Sequence, residues 1–269
     1  MMRARLAFVN ARMRARKAQL LDGGDLLRLA EADRPAVLVD GWSDLTREGD
    51  ASAVLAVVYR RLVAEYAMAI RACPDAAPAI AALLRMHEVE NVKLAWRAVV
   101  RRAATGEDGS EWTTAWRPMA PLETVSREAC RAASTVTALV DVLKPSPYRA
   151  IADSVARAHA DDLAAAERAI DRWAAASLDA ARDALPAREA AARALLALAS
   201  RRRDGADARR SQRRRACRRA LLGSPYSLAP LIAYLLLRDA EASGLVAVAE
   251  ARVRRLEKPD VRAVLDRVM

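Results

Sequence analysis

The stretch ASAVLAVVYRRLVAEYAMAIR, residues 51–71, sets the fold class. Its apolar residues Val54, Leu55, Val58, Tyr59, Leu62, Val63, Tyr66 and Ile70 recur every three or four positions, which gathers them on one helical face and turns Arg60 and Arg61 to the other. Cys73-Pro74 ends that helix. After Pro78 a second helix runs toward Arg102 with two apolar stripes, one through Ile80, Leu84, His87, Leu94 and Ala98, the other through Val89, Val92, Trp96 and Val99. Two stripes predict a helix covered on two sides. From Ser227 a further helix carries Pro230 in its first turn and then Leu231-Ile232-Ala233-Tyr234-Leu235-Leu236-Leu237 with no polar side, the pattern of a central helix. Arg238-Asp239 cuts that run well short of the ~18 apolar residues of a membrane span.

Between these helices, Thr105-Gly106-Glu107-Asp108-Gly109-Ser110 reads as a break, and Pro118 and Pro121 bound a connection before a helix expected from Glu123 to Leu143. Lys144-Pro145-Ser146-Pro147-Tyr148 forms a corner. Helices are expected at about Arg149 to His159, Asp161 to Leu185 and Ala187 to Arg203, and their short connections predict antiparallel neighbours. Ser224-Pro225-Tyr226 echoes Ser146-Pro147-Tyr148, which suggests an internal repeat. Composition agrees with an all-α chain: 54% of the 269 residues are apolar but only 4% are aromatic, so Ala, Leu and Val supply the core. That content excludes disorder, and three cysteines, Cys73, Cys130 and Cys217, with no C-x-x-C spacing exclude a disulfide scaffold and point to a reducing compartment. Arginines between residues 3 and 17 interrupt any apolar secretory core, so no signal peptide is expected.

The net charge of +11 is uneven. Arg3 to Lys17 holds six cations and no acid, and Arg201 to Arg219 holds ten arginines against Asp204 and Asp207, so the remainder is slightly acidic. A cluster such as Arg209-Arg210-Ser211-Gln212-Arg213-Arg214-Arg215 suits nucleic-acid phosphates, anionic lipid headgroups or an acidic protein. An Arg-rich helical nucleic-acid-binding protein is therefore the alternative from a different functional class. No helix-turn-helix, zinc-finger or RNA-stacking signature accompanies the charge, and Phe8 is the only phenylalanine.

Catalytic apparatus is not visible. Phosphate-loop, dinucleotide-binding and nucleophile-elbow motifs are all missing from the sequence. Asp161-Asp162 with Glu167 has a superficial likeness to the magnesium-binding acids of prenyl-diphosphate enzymes, which makes such an enzyme a third reading, but an acidic first turn is also what a helix N-terminus prefers. His87 and His159 stand apart from each other and from any cysteine, so core or surface roles are expected of them. Glu90 and Lys93 at i,i+3, Lys93 and Arg97 at i,i+4, and Arg238 and Glu241 at i,i+3 read either as charges lining a cavity or as surface ion pairs.

Three segments together resemble the C/d-type subunits of the V-type and A-type rotary ATPases. Leu6-Ala7-Phe8-Val9-Asn10-Ala11-Arg12-Met13-Arg14-Ala15-Arg16 with Leu20-Leu21 resembles that family's opening helix; Glu88-Val89-Glu90-Asn91-Val92-Lys93-Leu94 through Arg97 resembles its acidic-x-x-Asn-hydrophobic-basic helix; and Pro225-Tyr226-Ser227 with Pro230 through Glu241 resembles its C-terminal helix. Aligned on Asn91, the C-terminal copy has Gly244 where Asn is usual and Val246 where a basic residue is usual.

The resemblance implies a single all-helical, funnel-like domain over 1–269 made of pseudo-threefold bundle repeats, approximately 1–118, 119–205 and 206–269. It implies a non-catalytic coupling protein without cofactor or metal, peripheral at the cytoplasmic face of the membrane, that joins the central stalk to the proteolipid ring of a proton- or sodium-transporting machine. Glu88, Asn91, Lys93, Arg97, Arg238 and Glu241 are then expected on a hydrated inner wall that receives the stalk. Arg12, Arg14, Arg209, Arg210, Arg213, Arg214 and Arg215 are expected toward the ring or its anionic lipids.

Overall fold

The computed structural model describes residues 2–31, 51–106, 112, 115–159, 162–200 and 207–268. Among these, twelve α-helices and no strand occur: α1 (Met2–Lys17), α2 (Gly23–Glu31), α3 (Ala51–Ala72), α4 (Ala77–Thr105), α5 (Arg127–Ala132), α6 (Val136–Leu143), α7 (Arg149–Ala158), α8 (Leu163–Asp183), α9 (Ala190–Ser200), α10 (Asp207–Leu221), α11 (Ala229–Val253) and α12 (Lys258–Val268). The all-α class follows from the apolar periodicity, and no described helix is long and apolar enough to cross a membrane.

Five helices close a ring: α3 packs on α4, α4 on α8, α8 on α9, α9 on α11, and α11 back on α3. Outside it α1 lies against α3 and α11, α10 against α9 and α11, and α2 and α12 against α11 and each other. The run of apolar residues with no polar side makes α11 the hub. Leu231, Ile232, Ala233, Tyr234, Leu235 and Leu236 are all buried, so every side of its first half meets another element. The two stripes of α4 are buried likewise, in a helix that packs against α3, α8 and α6. Gly106 ends α4 in the left-handed region at φ 74°, where its N–H bonds the Arg102 carbonyl; a side chain there would be strained.

One expected helix is two. The segment Glu123 to Leu143 breaks at residues 133–135, because Ser126 caps α5 through Ala129 N–H and Thr135 caps α6 through Ala138 N–H. Hydroxyl side chains that satisfy the free amides of a first turn start a helix where an apolar count would continue one. The Ser-Pro-Tyr echo is a real local repeat. In each copy the tyrosine N–H bonds the serine Oγ, Tyr148 to Ser146 at 3.2 Å and Tyr226 to Ser224 at 3.3 Å. Arg149 N–H and Ser227 N–H close the same turn onto the Ser146 and Ser224 carbonyls.

Candidate functional site

The acidic-x-x-Asn pair of α4 is a clamp. Glu88 and Asn91, one turn apart and both buried, face the segment 117–124 that leads away from the ring. Asn91 Nδ2 donates to the Arg117 carbonyl at 2.7 Å while its Oδ1 accepts from Arg117 N–H at 2.8 Å. Glu88 accepts from Thr124 N–H at 2.6 Å, from the Thr124 hydroxyl at 2.7 Å and from the Tyr148 hydroxyl at 2.9 Å. A carboxylate can stay buried when hydrogen bonds replace its water, and here three do. Burial, and next the Glu88 charge, push the Tyr148 phenol well above its ordinary pKa.

Two more glutamates do the same elsewhere. Glu189, buried before α9, accepts from Leu228 N–H at 2.8 Å and so fixes the entry to α11. Glu241, buried on α11 at the place corresponding to Glu88, accepts from Leu21 N–H at 2.9 Å and fixes the exit from α1. Asn10 on α1 completes the set by donating to the Pro225 and Ser227 carbonyls at 2.7 and 2.9 Å. Each of the three glutamates thereby holds a connecting segment distant from it in sequence.

The expected ion pairs are not a solvated ladder. The Lys93 side chain is only 7% exposed, and its Nζ bridges Glu90 at 2.7 Å and Asp171 of α8 at 3.1 Å, tying α4 to α8. Arg97, 36% exposed, pairs with Glu167 of α8. Arg238 pairs with Glu241, and burial holds its guanidinium pKa below the usual arginine value. Of the six residues expected on a hydrated wall, Glu88, Asn91, Lys93 and Glu241 are therefore withdrawn from water into contacts between segments, because each has its partner within the chain. Arg97 remains more accessible than Lys93, Arg238 or Glu241.

A buried polar centre joins three ring helices. His87 Nε2 of α4 lies 3.0 Å from Asp239 Oδ1 of α11, and the Tyr66 hydroxyl of α3 donates to both Asp239 oxygens at 2.9 and 3.0 Å. The Tyr59 ring meets His87 edge-on at 5.6 Å between centroids, and the Arg117 guanidinium lies 5.2 Å from the Tyr59 ring centroid. The core role expected of His87 is the one it has. Asp239 belongs to the C-terminal helix pattern that ends at Glu241, but that pattern assigns it no core role; an acid this close behind a seven-residue apolar run is the signal that marks it.

The basic residues divide. Arg12 and Arg215 stand in water, Arg214 is half-buried and Arg213 is buried. Arg14 Nε donates to the Leu221 carbonyl at 2.7 Å and holds the turn between α10 and α11. The backbones of Arg209 and Arg210 belong to α10, and their side chains lie outside the described residues. Of the acidic trio, Asp161 also lies outside them, Asp162 caps α8 through Ala165 N–H at 2.8 Å, and Glu167 is the partner of Arg97.

The family model described as ATP synthase (C/AC39) subunit matches residues 9–204. The chain belongs to this family. The match takes in the Asn10 helix, the Glu88 to Arg97 clamp and Glu189, and stops before α10. Comparison with curated individual proteins gives no match. As a member of the C/AC39 family the chain is a component of a V/A-type ATP synthase.

Proposed function

We propose that this C/AC39 protein is the non-catalytic coupling part of a V/A-type rotary ATPase, a socket that joins the central stalk to the membrane proteolipid ring. It would work as a peripheral protein at the cytoplasmic face, while nucleotide chemistry and proton or sodium movement belong to its partners. The family match over residues 9–204 carries this reading. The closed five-helix ring supports it, as do the three glutamates that anchor successive connections, because a part that transmits torque has to resist shear between its segments. The same anchors favour a pseudo-threefold funnel with repeats near 1–118, 119–205 and 206–269.

On this reading Glu88, Asn91, Lys93, Arg238 and Glu241 brace the inner wall, and Arg97 is where its charge meets the stalk. Arg12 and Arg215 offer exposed charge to the ring and its lipids, with Arg14, Arg209, Arg210, Arg213 and Arg214 contributing to the same basic side; each cation near an anionic surface is worth about 1 kcal/mol. Co-purification tests this reading, with a tagged proteolipid in one arm and a tagged stalk protein in the other. Retention in both arms at low salt is expected, with release from the ring as salt rises. Absence from both arms would overturn the proposal.

A further inference from the structure

Next to the Glu241 clamp on Leu21, α10 turns Ser211, Arg214, Arg215 and Arg218 toward the start of α2, where Asp22, Gly23 and Gly24 complete a groove of about 430 Å³. The four α10 residues are spaced by three, one and three positions, so they share one helical face, flanked by buried Cys217. Arg214, Arg215 and Arg218 have no hydrogen bond or ion pair with a described residue. Among the described lining residues Asp22 is the one acid; its Oδ1 accepts from Gly24 N–H at 2.8 Å and Asp25 N–H at 3.0 Å, capping α2, and its charge is shared between Arg214 and Arg218. Three guanidiniums against one engaged carboxylate leave the groove with a surplus of two positive charges.

That surplus has a cost. Burial, and next the neighbouring Arg218, lower the Arg214 pKa, so the charged form of Arg214 is held at a disadvantage that an anion would relieve. The floor is open as well, since nothing lies within 4 Å of where a Cβ on Gly23 would sit. The positive end of α2 adds to the field of the arginines. Planar guanidinium forks match the paired oxygens of phosphate and of carboxylate, and phosphate groups carry the greater charge to offset a surplus of two.

We propose that the α2–α10 groove is a binding site for a phosphate-bearing ligand with at least two negative charges, supplied either by an anionic lipid headgroup or by a soluble diphosphate. The lipid source rests on the ring-side assignment of α10; the site itself does not, and it stands or falls on the isolated chain.

The test uses the full chain and its R215Q/R218Q variant, both changes at exposed positions, with R219Q as a control for charge outside the groove. Titration calorimetry with inorganic pyrophosphate at physiological salt reads the soluble ligand. Flotation with phosphatidic acid vesicles, against phosphatidylcholine vesicles, reads the headgroup. Binding in at least one arm is expected, weakened at least tenfold by R215Q/R218Q and less than twofold by R219Q, with the far-ultraviolet circular dichroism unchanged. Loss confined to the vesicle arm assigns the lipid source, and loss confined to the pyrophosphate arm assigns the soluble one. No binding in either arm, or equal weakening by R219Q, overturns the site. Neither result bears on retention by the proteolipid or the stalk.

Discussion

His87 Nε2 and Asp239 Oδ1 lie 3.0 Å apart with both side chains buried, and this contact links α4 to α11, two helices that α3 otherwise separates in the ring. Tyr66 from α3 donates to the same carboxylate, so one side chain joins three helices. Removing it leaves the buried Tyr66 phenol without its acceptor and takes away the carboxylate beside the imidazole. Asp239→Ala is expected to cost about 3–5 kcal/mol in urea unfolding, whereas Asp239→Asn, which keeps an acceptor oxygen, costs less.

Glu88 holds residues 117–124 through Thr124 and reaches Tyr148 as well. Glu88→Ala should destabilise the chain by about 3 kcal/mol or more. Its more specific signature is local: amide exchange should accelerate in residues 117–126 before it does in α11. Uniform acceleration through the whole chain would show that Glu88 does not anchor that segment in particular.

The three free thiols predict alkaline weakening. Burial pushes Cys130 and Cys217 up to about 12 and Cys73 up to about 11, from an ordinary 9.0. Above pH 9 the unfolded chain releases these protons while the folded chain keeps them. Stability is therefore complete below about pH 9 and falls as pH rises, by up to about 1.4 kcal/mol per pH unit for each group. Unfolding followed from pH 8 to pH 10.5 checks the slope. A thiol reagent at pH 8 should label none of the three in the native chain and all of them in denaturant.

Arg97 and Glu167 pair between α4 and α8 with both side chains partly open to water. Arg97→Glu should cost only about 1 kcal/mol of stability but weaken stalk binding at least tenfold. The exchange variant R97E/E167R should recover the stability and leave the stalk binding weak. If binding returns with the stability, Arg97 braces the wall and does not touch the stalk.

The fold is legible wherever apolar periodicity carries it. Both stripes of α4 and the all-round apolar start of α11 name their burial directly, and His87 falls on a stripe. What periodicity cannot show is the destination of the polar residues. Glu88, Asn91 and Glu241 look like candidates for a wetted surface because charged groups usually face water, yet each finds backbone or hydroxyl partners contributed by residues tens to hundreds of positions away. Lys93 has a local partner in Glu90, and only the fold brings Asp171 to its other side. The break between α5 and α6 is local, and Ser126 and Thr135 are its signal, which an apolar count runs past.

Proton or sodium pumping driven by ATP, measured in reconstituted vesicles with and without this chain, is the sharpest test of the coupling role. Complexes lacking it are expected to keep ATP hydrolysis and lose most of the ion gradient, and adding the purified chain back should restore the gradient. Pumping that persists undiminished without the chain would refute that role.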